Sequence, residues 1–462
     1  MPACFGGDCM FEKVFKLKDH GVTAGNEIMA GLTTFMTMAY ILAVNPNILK
    51  DAGMPVGGVL VATAVSSAIA CFCMAFFSNL PFALAPGMGL NAYFAYTVCL
   101  GMGYHWSVAL LAVLFEGLIF ILLSVTNVRE AIFNAIPISL KHAISAGIGL
   151  FIAFIGLNNG NLVVANPATK VGITKFVGEG FHTSGISAIL CLIGVAIIAI
   201  LSHKKIRGAI LYGIIGTWIL GMLCQALGLY VPDFENGFYS LYPSFSFAAL
   251  GGFKDIAFAV FRPNLEGVTV LSFITVILSF LYVDIFDTLG TLIGVASKAD
   301  MLDKEGRLPG IKGALLSDAI GTTVGAALGT STVTTFVESS AGVAEGGRTG
   351  LTALTTGVLF LLSLLFAPLF LSIPAFATAA ALIFVGFLMF TSILKVNFED
   401  ITESVPAYIA LLAMPFFYSI AEGISWGVIF YVVINLACGK AKKISPLMYI
   451  LFVLFILKYV FL

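Results

Sequence analysis

Thr330–Gly350 reads TSTVTTFVESSAGVAEGGRTG and lies between two long apolar stretches, with Glu338 near its centre. A carboxylate at membrane depth is costly and marks a functional site by default. The residues before it, Thr332 to Val337, are β-branched or aromatic and suit an extended strand. From Ser339 the chain reads as a helix start with hydroxyl caps. Backbone that is first extended and then helical is tolerated inside a bilayer only where it lines a protein cavity. The stretch therefore predicts a transporter binding site.

The rest of the chain supplies the bilayer context. Of 462 residues, 60% are hydrophobic and 10% charged, with a mean hydropathy of +1.05. Soluble domains carry about 25% charged residues. The apolar stretches are continuous rather than alternating, which predicts an all-α polytopic membrane protein and argues against a β-barrel. A net charge of −1 gives no footprint for a nucleic-acid partner. The eight cysteines show no disulfide or zinc spacing and read as free thiols. No cleavable signal peptide is expected, because the first 20 residues lack an apolar core. No phosphate loop, metal spacing or nucleophile motif is present. Neither a cofactor, a metal nor a catalytic residue is expected, and ATP-driven transport is disfavoured.

Fourteen spans are read at 24–50, 57–79, 82–100, 106–126, 138–157, 184–202, 209–230, 268–296, 313–329, 331–346, 351–369, 373–393, 404–419 and 421–438. Lys13, Lys16 and Lys18, the group His203, Lys204, Lys205 and Arg207, and the group Lys298, Lys304, Arg307 and Lys312 then share one face. The positive-inside rule makes that face cytoplasmic, with the N-terminus on it. The apolar stretch 445–461 is read as a helix lying on the inner face rather than a fifteenth span, because an even count preserves a symmetry.

That symmetry is a weak repeat. Gly31–Leu49 (GLTTFMTMAYILAVNPNIL) leads through one span to the Pro- and Gly-rich segment Leu80–Tyr96 (LPFALAPGMGLNAYFAY). Phe280–Ala296 (FLYVDIFDTLGTLIGVA) leads likewise to Thr330–Gly350. Phe35 and Asn91 are 56 residues apart; Asp287 and Glu338 are 51 apart. Seven spans per half require an inverted repeat, with spans 3 and 10 interrupted. Matched interruptions in inverted halves are the best sequence pointer to a transporter site. Pro81 and Pro86 forbid a regular helix. Gly87 and Gly89 permit close backbone approach. Helices resuming near Asn91 and Ser339 would aim free N–H groups at a shared cavity.

These segments resemble the nucleobase–ascorbate (uracil/xanthine permease) superfamily, and within it the adenine/guanine/hypoxanthine permease branch. The resemblance runs from about residue 12 to the C-terminus. It is carried by Gly31–Tyr40, Ala85–Tyr96, Asp284–Val295, Thr330–Leu351, Thr402–Pro406 (TESVP) and Ala421–Ser425 (AEGIS). It implies seven plus seven inverted spans and proton-coupled import of purine bases across the cell (inner) membrane. It also implies a substrate-carrying core (24–130 and 268–370) and a gate domain (131–267 and 371–440), with 1–23 as a cytoplasmic N-terminus and 441–462 as a C-terminal apolar helix. The acids that the family uses in spans 8 and 10 match Asp287 and Glu338. The xanthine and uracil branches carry Asn after the second acid; Ser339 here fits the purine branch. Relatives of this fold often pair through the gate domain, so a homodimer is an expected assembly. The APGMGLNAYFAY stretch looks closer to adenine-type members.

On that reading Glu338 accepts two N–H bonds from the edge of a base. The Ser339 and Ser340 backbone N–H groups, and the Asn91 amide, complete the polar contacts. Phe94 and Phe35 are the candidates to stack on the ring. Asp284 and Asp287 share a helix face. Two carboxylates at low dielectric resist ionising together, so Asp287 is the expected proton or substrate acid and Asp284 its partner. Glu116 is expected to pair with a core hydroxyl, Arg348 with Glu345, and Glu403 and Glu422 to cap helix starts. Two other classes compete. An anion carrier would need a positive centre, and the midplane is acidic; a membrane enzyme would need a nucleophile or metal constellation.

Overall fold

The computed structural model describes residues 6–125, 136–166, 168–178, 180–233, 238–243, 251–298, 301 and 308–461. Cys4, Lys304 and Arg307 lie outside them. After α1 (Gly6–Phe15), α2 (Ala24–Met38) and α3 (Ile41–Asp51) run on as one apolar unit. The Thr23 side chain accepts from Asn26 N at its start. α4 (Val56–Cys73) ends in a π-helical turn, Met74–Ser78. The proline-broken segment follows as β1 (Leu84–Pro86) and α5 (Met88–Ala92), which widens into a π-helix over Tyr93–Gly101.

α6 (Trp106–Val125) and α7 (Ile138–Asn159) lead to a hairpin of β2 (Val163–Asn166) and β3 (Lys170–Ile173). Then come α8 (Ile186–His203), α9 (Ala209–Ala226), a single turn α10 (Phe253–Ile256), α11 (Val270–Lys298) and α12 (Ile311–Leu328). β4 (Val333–Thr335) and α13 (Ser339–Ala344) form the second interrupted segment. The chain closes with α14 (Gly350–Leu362), α15 (Ala367–Leu371), α16 (Ala375–Phe390), α17 (Ile401–Phe416), α18 (Ile420–Ala437) and α19 (Pro446–Phe461).

Among the described residues the regular structure is thus helical apart from two short ladders and one isolated bridge. Among the described residues ten helical units are long and apolar enough to cross a membrane, rather than the fourteen read from sequence. The shortfall has a physical cause. Extended backbone shortens two of the four remaining segments, α17 is apolar but short, and α12 carries Lys312, Asp318 and three hydroxyls that lower its hydropathy.

The helices pack as two groups. α2, α4, α6, α12 and α14 contact one another; α7, α8, α9, α16, α17 and α18 form the second set. Glycine brings backbones together within each. A Cβ on Gly31 of α2 would lie 2.5 Å from Thr355 Cβ of α14, and one on Gly149 of α7 2.6 Å from the Gly386 carbonyl of α16. Such small-residue contacts replace the hydrophobic drive that lipid cannot supply.

One expectation fails at the C-terminus. α19 does not lie flat beside the last loop but runs antiparallel along α18. Near its start, Lys440 and Lys443 pair with Asp400 at 3.0 and 3.4 Å; near its end, the Tyr459 hydroxyl donates to Glu422. The Tyr459 ring meets Trp426 at 5.4 Å, and Phe455 meets Tyr282 of α11 at 6.0 Å. These two ring contacts hold the C-terminal half of α19 against α18 and α11.

Gly149→Val should push α7 from α16. The expected cost is about 1–3 kcal/mol, seen as a lower melting temperature in detergent; an unchanged melt would show that this contact is not tight.

Candidate functional site

A strand that enters a bilayer needs partners for its N–H and C=O groups. Here the two interrupted segments supply each other. β1 and β4 pair antiparallel, with Leu84 opposite Thr335, Ala85 opposite Thr334 and Pro86 opposite Val333. Gly87 N donates to Thr332 O and Phe336 N to Ala83 O, each at 3.0 Å. Pro86 has no N–H to leave unsatisfied. Gly87 is required by space: a Cβ there would lie 2.7 Å from Thr334 Oγ1 and 3.2 Å from Asp287 Oδ2.

Carboxylates gather around this crossing, each met by a hydroxyl. Glu338 follows β4, and its Oε1 accepts from Tyr40 OH at 2.6 Å. Thr334 Oγ1 faces Asp287 Oδ2 at 3.4 Å. Thr332 Oγ1 donates to Glu116 at 2.6 Å, so Glu116 does pair with a core hydroxyl. Deeper in, Thr288 Oγ1 lies 2.8 Å from Asp284 Oδ1 and 2.7 Å from Asp318 Oδ1. Asp287 and Glu338 keep part of their surface open, as does Ser340, while Val337 between strand and helix is 47% exposed. Asp318 and Glu338 both lie within electrostatic reach of Asp287.

Several sequence expectations meet a different geometry. Asp284 and Asp287 diverge: Asp284 is buried against Asp318 of α12, and Asp287 faces β4. Three residues on a helix subtend enough angle to separate them once two neighbours compete. Asn91 is fully buried, its carbonyl oxygen accepting from Ser331 Oγ and its Nδ2 donating to Pro86 O at 3.4 Å. Its amide ties the two interrupted segments together instead of standing free.

The Ser339 and Ser340 N–H groups are also engaged, donating to Phe336 O and Val337 O in a tight turn at 3.1 and 3.0 Å. No side chain caps α13; the Ser339 hydroxyl instead accepts from Ala83 N at 3.0 Å, locking β1. Phe94 is wholly enclosed by apolar neighbours. Phe35 packs edge-on against Phe360 at 5.3 Å. Phe94 offers no open face in this conformation, while Phe35 keeps part of its surface open.

The remaining charges are resolved too. Arg348 donates to the Val343 and Gly347 carbonyls, and Glu345 pairs with Arg207 at 2.5 Å. Glu403 and Glu422 stand in the first turns of α17 and α18, as expected, while the N-cap residues themselves are Asp400 and Ser419. Asp400 stays charged well below the usual carboxylate range, because Thr402 and then Lys440 bond to it.

Three residues were missed. Tyr40 carries no periodic signal that separates it from a packed aromatic. Asp318 sits in an apolar span, and the cost argument that selected Asp287 applies to it equally. Glu27 is buried at the start of α2 and accepts from Arg348 N at 2.8 Å, Thr349 N at 3.2 Å and Thr352 Oγ1 at 2.6 Å, capping α14.

The chain has known relatives. The profile of the xanthine/uracil permeases, a permease family, matches residues 25–425. The chain belongs to this family. It is 44% identical to an adenine permease of Escherichia coli, over 98% of this chain and 97% of that one. It is 43% identical to a guanine/hypoxanthine permease of Bacillus subtilis, over 97% and 99%. Among solved structures, the transmembrane domain of a cyanobacterial bicarbonate transporter superposes with a TM-score of 0.60 at 16% identity, over 90% of this chain and 97% of that one. That likeness shows a shared fold.

Within this permease, Thr288→Val should remove the hydroxyl between Asp284 and Asp318. A lost buried bond to a carboxyl group costs about 1–3 kcal/mol or more. A melting temperature equal to that of the parent would show the trio to be slack.

Proposed function

We propose that this integral membrane protein is a proton-coupled secondary transporter that imports purine bases, with its N-terminus cytoplasmic and the inner (cell) membrane as its site. The observation that carries this reading is Glu338. It stands at the junction of β4 and α13, partly open, oriented by Tyr40, in a chain collinear with adenine and guanine/hypoxanthine permeases. A carboxylate accepts the paired N–H groups of a purine edge through charge-assisted bonds.

The fourteen-span scheme assigns α2/α3, α4, the β1–α5 segment and α6 to α9 to one half. It assigns α11, α12, the β4–α13 segment, α14/α15 and α16 to α18 to its inverted repeat. The helix set around α2, α4, α6, α12 and α14, with α11 and the crossing, would be the substrate-bearing core. The set around α7, α8, α9, α16, α17 and α18 would be the gate. Alternating exposure then follows from relative movement of the two.

For the proton, Asp287 is the partly open acid beside Glu338, with Asp284 as its partner. Behind it the Thr288 hydroxyl stands between Asp284 and Asp318 at 2.8 and 2.7 Å, so two further carboxyls lie close together at low dielectric. Asn91, Phe94 and Phe35 would act by fixing the crossing and its flanks until movement opens them, and Ser340 borders the open side.

Two measurements test the reading. Uptake of radiolabelled adenine and hypoxanthine should be saturable and should collapse with a protonophore. Uptake that ignores the protonophore removes proton coupling, and uptake of neither base removes the substrate. Glu338→Gln should lower uptake by at least a hundredfold with normal membrane insertion; survival of uptake would make Glu338 structural.

A further inference from the structure

The acids at the crossing are reached from one face only if the helix groups part there, so the contacts between the groups decide access. At one end of the molecule a cavity of about 210 Å³ separates them. It is lined by Asn47, Lys50 and Asp51 of α3, Asn158 and Asn161 at the end of α7, and Thr378 of α16. This end lies away from the basic turns. The α2/α3 unit starts beyond Lys18 and finishes at Asp51, and α8 runs back from the cavity side to His203. By the positive-inside rule the cavity opens outward.

Its inner wall is a hydrogen-bond chain that crosses from one helix group to the other. Tyr96, in the π-helical stretch after α5, donates to Asp51 Oδ2 at 2.8 Å and accepts from Asn159 Nδ2 at 3.1 Å. Only 8% of Tyr96 is exposed. The Tyr418 ring stands edge-on to it at 5.8 Å and meets Phe151 and Phe154 at 5.4 and 5.8 Å. Thr97 Oγ1 donates to Tyr418 O at 3.2 Å. Asp51, Tyr96 and Thr97 belong to the segments before α6; Asn159, Phe151, Phe154 and Tyr418 belong to the other set.

We propose that this cavity is the outer vestibule in its shut form, and that the Tyr96 hydroxyl is the latch that ties Asp51 to Asn159 across the two helix groups. The proposal rests on the reading of the protein as an alternating-access carrier. A base from outside meets amides and a carboxylate there, which offer the donor–acceptor edges that suit a purine rim. It reaches Glu338 after both Tyr96 bonds break. The opposite face carries the Arg207–Glu345 ion pair, whose arginine is 53% exposed, beside the packing of Gly208 on Met36. Exposed pairs of this kind restrain little.

The test reads conformation, not transport. Thr378, 3% exposed at the cavity wall, becomes Thr378→Cys in a chain whose eight native cysteines are replaced. Intact cells are treated with a membrane-impermeant maleimide. Adding Tyr96→Phe, which keeps the ring and deletes both bonds, should raise the labelling rate about tenfold. Asn159→Ala should raise it in the same direction and decides the matter if Tyr96→Phe fails to reach the membrane. An unchanged rate in a chain that takes up base overturns the latch and leaves the transport reading intact. Faster labelling in a chain that takes up no base overturns the substrate and keeps the latch. Labelling by a permeant maleimide alone places the cavity on the other face and overturns the proposal.

Discussion

Every part of this molecule answers to the need of backbone N–H and C=O groups for partners where no water can supply them. Two stretches break their helices at the depth of the bilayer, and neither could do so alone. Ala83 to Gly87 and Thr332 to Phe336 satisfy one another through the β1–β4 ladder and its two flanking bonds. Side chains complete the seal: Ser339 takes Ala83 N, and Asn91 binds Ser331. The broken helices then resume on either side, and the acids that follow from them have fixed positions. A carboxylate such as Glu338 can face a crevice because the backbone beneath it makes no demand on that crevice.

The same crossing explains why hydroxyls are so dense in Thr330–Thr335. Thr330 meets Asn45, Thr332 meets Glu116, and Thr334 meets Asp287. Thr334 lies in β4, and Thr330 and Thr332 lead into it. Each finds a polar group carried by a different element: α3, α6 and α11. Thr330–Thr335 is therefore a hub that ties together helices far apart in sequence. A hydroxyl suits this position because it can donate or accept as its partner gains or loses a proton.

Much of this was legible in the sequence, for physical reasons that differ by residue. The strand at Thr332–Val337 and the helix from Ser339 followed from β-branching and small polar residues, and both stand where expected. Pro86 and Gly87 marked the second break correctly, because no regular helix accommodates that pair. What the sequence could not reveal was competition between partners. Asp284 was paired with Asp287 by spacing, yet the Thr288 hydroxyl bridges it to Asp318 on another helix. The serine N–H groups were expected to be free, and a local turn claimed them. Asn91 was expected to face an open site and instead bonds across the crossing. Each of these depends on which elements meet, which one-dimensional spacing does not encode. The path of the C-terminal helix escaped for the same reason: Tyr459 finds Glu422 only after α18 and α19 lie side by side.

The kinds of contact are distributed in a way that bears on movement. Within each helix set, glycine lets backbones touch: Gly31 on Thr355, Gly149 on Gly386. Such contacts have no alternative arrangement of similar energy, since separating them leaves a void and shifting them makes a clash. Between the sets, the joints at Tyr96 and at Arg207 combine polar side-chain tips with ring and backbone packing, such as Tyr96 on Tyr418 and Gly208 on Met36. Those tips can exchange a protein partner for water at little net cost. In the carrier proposed above, the two sets would part at these joints before either yields inside. The crossing of β1 and β4 packs on α4, α11 and α12, so on that proposal a base held at Glu338 would travel with that set as a body while the joints open on one side or the other.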